Sequence, residues 1–258
     1  MNIRKTNKSI TKRLTTIENA LKVKLNKFYN NNIKGSILPI EQLRRQYETT
    51  VKNLIRKTVQ DGYLTGTNLV SEQISNVVTD FVPFISATDI QNIQIVTERV
   101  NNKFWQTAAK LHEREHEFIV VPNGDLELKH QFDTLAGIIR TAVFAAYLGF
   151  NTAIISKMQL VNNPVALGIG QLEALQIQGE GQLTTQITDL NNLQGQVMFL
   201  TREDSIVDPL VCEPLNRTIY DANDPDIPIP IVDTHDHCRC RLIPLIDVTD
   251  TFDIINTG

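Results

Sequence analysis

The sequence predicts an α+β protein: a mainly α-helical body followed by a small, irregular, β-rich C-terminal module that carries cysteine and histidine. Three observations lead there. Apolar residues recur at helical spacing over much of the first 158 positions. Seven of the ten prolines fall after residue 163, and proline does not continue a helix. All three cysteines and two of the five histidines lie between residues 212 and 240.

The first helix is expected over residues 8–30, where Ile10, Leu14, Ile17, Leu21, Leu25 and Phe28 recur at intervals of three and four. Ser9 or Thr11 can cap it. The segment NNNIKGS (30–36) breaks the pattern. A second helix should run from Pro39 to Gln60, with Leu43, Tyr47, Val51, Leu54 and Ile55 as its apolar stripe. Joined by a polar turn, the two make a helical hairpin, the first domain (1–62). The helical body (63–158) should hold helices over 67–80, 87–116 and 129–158. FVPFIS (81–86) separates the first two, and EFIVVPNGDLEL (117–128) reads as a loop or a small hairpin. In 129–158, Phe132, Leu135, Ile138, Ile139, Ala142, Val143, Ala146 and Leu148 crowd one side.

Residues 159–196 are rich in Gln, Asn and Gly and read as an insertion, either a surface extension or short helices. The last domain (197–258) opens with a strand, VMFLT (197–201). IPIPIVDT (227–234) must be extended around its prolines, and CRCRLIPLID (238–247) reads as the closing strand.

Composition removes several classes. With 41% apolar and 21% charged residues the chain can bury a core and is not a disordered chain. No run reaches the roughly 18 apolar residues of a membrane helix, so no membrane partner is expected. The basic start, MNIRKTNKSITKR, has no apolar block behind it and is not a secretory signal. Three cysteines do not make a disulfide framework, and the glycine-rich phosphate loops GxGxxG and GxxxxGK[ST] are missing.

The net charge of −4 conceals a division along the chain. Residues 1–60 hold 14 Lys/Arg against 3 Asp/Glu, a formal +11, and residues 61–258 hold 11 against 26, a formal −15. Lys12, Arg13, Lys22, Lys24 and Lys27 on the first helix, with Arg44, Arg45, Lys52, Arg56 and Lys57 on the second, would face DNA or an acidic protein. The alternative is a solvated face that offsets the acidic remainder. Only Phe28, Tyr29 and Tyr47 could stack on bases, so single-strand recognition is not expected.

Three groups could carry chemistry. His112-Glu113-Arg114-Glu115-His116 matches H-E-x-x-H, which places two imidazoles on one helix face with a glutamate as base. Its charged interior and the lack of a nearby third ligand other than His130 make it a solvated helix end and the chain no metal-dependent hydrolase. Cys212, His235, Cys238 and Cys240 can form a tetrahedral structural site of the sort zinc prefers. In an extended chain Cys238 and Cys240 face one way and His235 and His237 the other. A buried reduced thiol cluster, or a disulfide from Cys212 to Cys238 or Cys240, remains open beside metal. The acidic series Asp204, Asp208, Glu213, Asp221, Asp224, Asp226, Asp233 and Asp236 reads as turn-forming loop acidity. No Ser/His/Asp order appears, and no enzyme is expected.

The tail as a whole resembles the C-terminal motif of the phage Mu protein F-like family, the minor head or head-morphogenesis proteins of tailed viruses. The likeness rests on FLTREDSIVDPLVCEPLNRTIY, the proline-rich stretch, and HDHCRCRLIP. Thr201, Asp204, Val211, Cys212, Leu215, Asn216, Tyr220, His235, Cys238, Arg239, Cys240 and Leu242 fall where that pattern asks. Arg140-Thr141 with Ala145, Ala146 and Gly149 is similar to the helix that precedes the motif. The likeness covers 130–158 and 197–246, under a third of the chain.

Two departures stand out. The family's second cysteine, shortly after the first, is missing from Cys212-Glu213-Pro214-Leu215, which leaves His235 to complete a ligand set. The family's turn glycine is Arg217 here. The resemblance implies a virion protein of the head or procapsid, assembled in the host cytoplasm. It also implies association with the portal and major capsid proteins and assistance in DNA packaging, retention or delivery. A nucleic-acid-binding protein using the basic arm is the alternative.

Overall fold

The structure is a computed structural model that describes residues 3–78, 81–114, 118–120, 126–128, 131–178, 190, 193–202, 208–235 and 238–248. Its helices run Ile3–Asn32 (α1), Ile40–Ser75 (α2), Ala87–Arg114 (α3), Gln131–Val161 (α4) and Pro164–Gln178 (α5). Its strands run Phe118–Val120 (β1), Leu126–Leu128 (β2), Leu193–Leu200 (β3), Ile219–Asp221 (β4) and Arg241–Val248 (β5). Helices dominate, and a three-stranded antiparallel sheet in the order β4-β3-β5 stands in the C-terminal region, so the chain is α+β. The chain divides into two compact units, residues 1–62 with 93–149 and residues 63–92 with 150–258.

In the first unit the expected hairpin stripe is the core of α1 and α2: Leu14, Leu21, Leu25, Val51 and Ile55 are buried. Phe28 meets Tyr47 edge-on at 5.5 Å and packs near Phe104, whose ring meets Trp105 at 5.3 Å. Such geometry suits the aromatic quadrupole. Within 117–128, β1 pairs antiparallel with β2, with Phe118 opposite Leu128.

The sequence reading separates helices at 39–60 and 67–80; the structure has one helix, α2, through both. Its glycines serve close approach. A Cβ on Gly62 would strike the Ala146 carbonyl oxygen, and one on Gly149 would come within 2.5 Å of the Val59 carbonyl oxygen. The helix accepts the roughly 1 kcal/mol per glycine because backbone then packs on backbone. In the second unit Gly66 does the same, with Phe150 O 2.7 Å from where its Cβ would stand.

Helix α4 also differs from expectation. The span Ala136–Val161 is long and apolar enough to cross a membrane, and 78% of its 18-residue apolar window is buried inside the fold. Counting uninterrupted apolar residues missed it because Thr, Gly and Asn punctuate the run. The helix is continuous to Val161, and the Gln/Asn/Gly-rich segment supplies α5, with Leu167, Gln171 and Leu175 buried.

The second unit has a polar clamp. Ser86 and Asp89 form a capping box at the start of α3: Ser86 N donates to Asp89 Oδ2 at 2.7 Å, and Asp89 N donates to Ser86 Oγ at 3.2 Å. Lys157, on α4, donates to the same carboxylate at 2.5 Å and to the Phe84 carbonyl at 2.9 Å. Tyr63 donates to Asp89 Oδ1 at 2.6 Å. Burial pushes the Asp89 carboxyl up, but the bonds from Lys157 and Tyr63 outweigh it and hold it below the ordinary carboxylate range. Burial and the Asp89 bond raise the Tyr63 hydroxyl.

Candidate metal centre

The C-terminal sheet delivers the site. β3 pairs along its length with β5, Leu193 opposite Val248 and Leu200 opposite Arg241, and over three residues with β4. Pro244 is tolerated because β5 is an edge strand. The chain leaves β3 at Thr201 and returns through a turn: Asp208 Oδ1 accepts from Leu210 N and Val211 N, and Cys212 N donates to Asp208 O at 2.9 Å. A short 3-10 turn, Glu213–Leu215, follows, and Asn216 Oδ1 accepts from Thr201 N at 3.1 Å.

On the other side, the residues before β5 bring in Cys238 and Cys240. Asn151, fully buried on α4, accepts from Leu242 N at 2.8 Å and donates to Cys240 O at 3.5 Å. It thereby pins the backbone that carries Cys240. The turn before them is held by Ile231 N to Thr234 Oγ1 at 2.8 Å and Ile229 N to Asp233 Oδ2 at 2.8 Å.

The three sulfurs meet in the interior. Cys212, Cys238 and Cys240 are buried and free, and their sulfurs all lie within 4.8 Å of one another. Cys212 Sγ is 3.7 Å from Cys238 Sγ. Tetrahedral thiolates at a zinc–sulfur distance of about 2.3 Å stand about 3.8 Å apart, so the pair has the spacing of two ligands on one ion. It is too long for a disulfide, whose sulfurs are about 2.05 Å apart. Cys240 N donates to Cys238 Sγ at 3.4 Å, a bond that stabilises a thiolate.

The charge of the cluster sits on Cys238. Hydrogen bonds from the Cys240 thiol, Thr234, the Cys240 amide and Cys212 bring it down to about 5, against its burial. Burial and then the neighbouring Cys238 charge push Cys212 up to about 11. The bond to Cys238 and burial push Cys240 up too. A buried group of sulfurs with one thiolate already formed can accept a soft or borderline cation, which would draw the other two protons off. Three cysteines here could thus hold a metal ion.

His235 does not belong to that group of three. Its carbonyl accepts from Cys238 N at 3.0 Å, and its Nε2 is buried with no hydrogen-bond partner among the described residues. His116, His130, Asp204, Asp236 and His237 lie outside the described residues. His112 is half-buried on α3 with Nε2 3.1 Å from the Ser36 carbonyl oxygen. A carbonyl only accepts, so that nitrogen carries a proton and offers no lone pair to a metal. Of the remaining acidic residues, Asp221 and Asp224 serve turns: Asp221 Oδ1 accepts from Asn223 N and Asp224 Oδ1 from Asp226 N.

The ten basic positions divide. Arg44 pairs with Glu48 at 3.2 Å and donates to Asn102, and Lys52 pairs with Glu98, so both serve the first unit's own packing. Lys22 is half-buried. Lys12, Arg13, Lys24, Lys27, Arg45, Arg56 and Lys57 are exposed and make no ion pair among the described residues. Sequence reasoning overlooked Asn151 and Lys157, although a polar residue inside an apolar helix is the pattern of a buried, satisfied group.

Comparison with protein-family models, with curated proteins and with solved structures found no match.

Proposed function

We propose that this chain is a non-enzymatic head-assembly protein of a tailed virus, similar in role to the phage Mu protein F-like proteins. In this reading it resides in the virion head or procapsid, associates with the portal and major capsid proteins, and assists DNA packaging, retention or delivery. The exposed cations of the α1–α2 hairpin suit an acidic protein surface or DNA.

The observation that carries the reading is the convergence of the motif. Residues separated by up to 41 positions, Thr201, Cys212, Asn216, Cys238, Cys240 and Leu242, meet in one small module. One departure from the family pattern supports it as well. Arg217 stands where the family carries glycine, and its φ is +66°, the left-handed region glycine prefers. Arg217→Gly is therefore expected to stabilise the chain by about 1 kcal/mol, measured by urea denaturation. A loss of stability would mean that the position is not a glycine site.

The module's metal is zinc in this proposal, held by Cys212, Cys238 and Cys240; His235, whose ring stands outside the group of three sulfurs, becomes the fourth ligand by turning its orphaned Nε2 toward the ion. Zinc supplies a cross-link in place of a larger core. Cobalt-substituted protein should show a three-sulfur, one-nitrogen spectrum that changes in His235→Ala; an unchanged spectrum removes His235 from the set.

The role itself is tested by sedimentation with particles. The chain should travel with portal-containing procapsids and fail to do so when portal protein is omitted. A chain that stays free of portal, procapsids and DNA in low salt would contradict the proposal.

A further inference from the structure

The fold sorts charge between its two units. The first, residues 1–62 with 93–149, holds 20 Lys/Arg and 11 Asp/Glu, a formal +9. The second, residues 63–92 with 150–258, holds 5 and 18, a formal −13. Neither excess is neutralised where it is most exposed. Arg13, Lys24 and Lys27 are spaced by eleven and three residues and so share a face of α1; Arg45 and Arg56, eleven apart, share a face of α2. None of the five makes an ion pair among the described residues. The same holds for the exposed Glu213, Asp221, Asp226 and Asp233 of the second unit.

Apolar side chains interleave with both sets. Val23, 67% exposed, adjoins Lys22 and Lys24 in sequence, and Leu210 and Ile219, at 86% and 51%, stand among the acids. A phosphate backbone has no use for an exposed Val, whereas a protein interface commonly has apolar area inside a charged rim.

We infer that copies of this chain bind one another head to tail, the basic α1–α2 face of one copy on the acidic 208–233 segment of the next. Each face repels its own kind, so a dimer of like faces is disfavoured and the contact joins unlike faces; it closes into a ring or continues as a filament unless both unlike pairs are satisfied within one dimer. The inference goes beyond the assembly role proposed above and needs neither the portal nor the metal to be right.

Sedimentation velocity of the full chain tests it. At about 0.05 M salt the protein should form species larger than a monomer; at about 0.5 M, where screening acts within a few ångströms, association should weaken on the order of tenfold or more. Two variants sharpen the result, R13E/R45E/R56E on the basic face and E213K/D221K/D226K on the acidic face. Each alone should be monomeric, because each lacks one half of the contact. Mixed, they should form a one-to-one complex that grows no further, since each keeps the half the other lacks. A wild-type monomer at low salt, or two variants that fail to pair while their circular dichroism matches wild type, overturns the inference. Low-salt monomers whose α1–α2 cations retain duplex DNA would instead give that face to nucleic acid.

Discussion

Cys238→Ser protein should be purified without zinc and should unfold several degrees below the wild type. Cys238 is the buried sulfur whose thiol its neighbours hold well below the ordinary range, and it lies 3.7 Å from Cys212 Sγ. A structural zinc contributes about 10–16 kcal/mol to small folded peptides, so loss of one thiolate ligand should cost at least about 3 kcal/mol here. Chelation of the wild type provides the companion measurement where the variant is poorly folded. Adding a strong chelator should lower the melting temperature, and restoring zinc should reverse the change. The ligand thiols must lose protons to bind, so acid should release the ion. A Cys238→Ser chain that melts with the wild type, and a wild type indifferent to chelator, would remove the cross-link from the account.

Lys157→Met should be the most damaging change away from the cysteines, at about 3–5 kcal/mol in denaturant titration. Its ammonium and the Asp89 carboxylate are 7% and 1% exposed, and Met would leave that carboxylate buried without its cation. Asp89→Leu in addition should recover part of the loss, because the uncompensated charge goes with it. Recovery should be incomplete: Asp89 also caps α3 through Ser86, a bond worth about 1 kcal/mol. The pH dependence has a definite sign. The Asp89 carboxyl is held below its ordinary value, so its contribution is complete above the unfolded value near about 4 and disappears as pH falls through the folded one. Wild type and Lys157→Met should therefore converge in stability toward acid. Tyr63 is raised, so its contribution holds below about 10 and is lost as pH rises through its folded value. Parallel stability curves for the two proteins at all acid pH values would place the energy elsewhere.

Helical periodicity was enough to read the hairpin stripe, because Leu14, Leu21 and Leu25 face a single core. It did not show that one helix runs through Gly62 and Gly66. The residues around Gly62 and Gly66 carry the composition of a turn, and only the helix packed on them explains their lack of Cβ. The cysteines were legible as a set because thiols cluster rarely by chance in a chain with three of them. Their supports were not, since Asn151 lies 89 residues from Cys240 and nothing local marks the bond between them. Charge was legible as an asymmetry along the chain, whereas its division into ion-paired Arg44 and Lys52 and exposed Arg45, Arg56 and Lys57 needed the partners.

The most direct measurement is the metal content of the intact chain, purified without chelator and weighed under native conditions, with thiol alkylation on the same sample. One zinc per chain, with Cys212, Cys238 and Cys240 protected until the ion is removed, is the predicted result. A metal-free mass with three freely alkylated thiols, or a mass two hydrogens light from a Cys212–Cys238 disulfide, would contradict it.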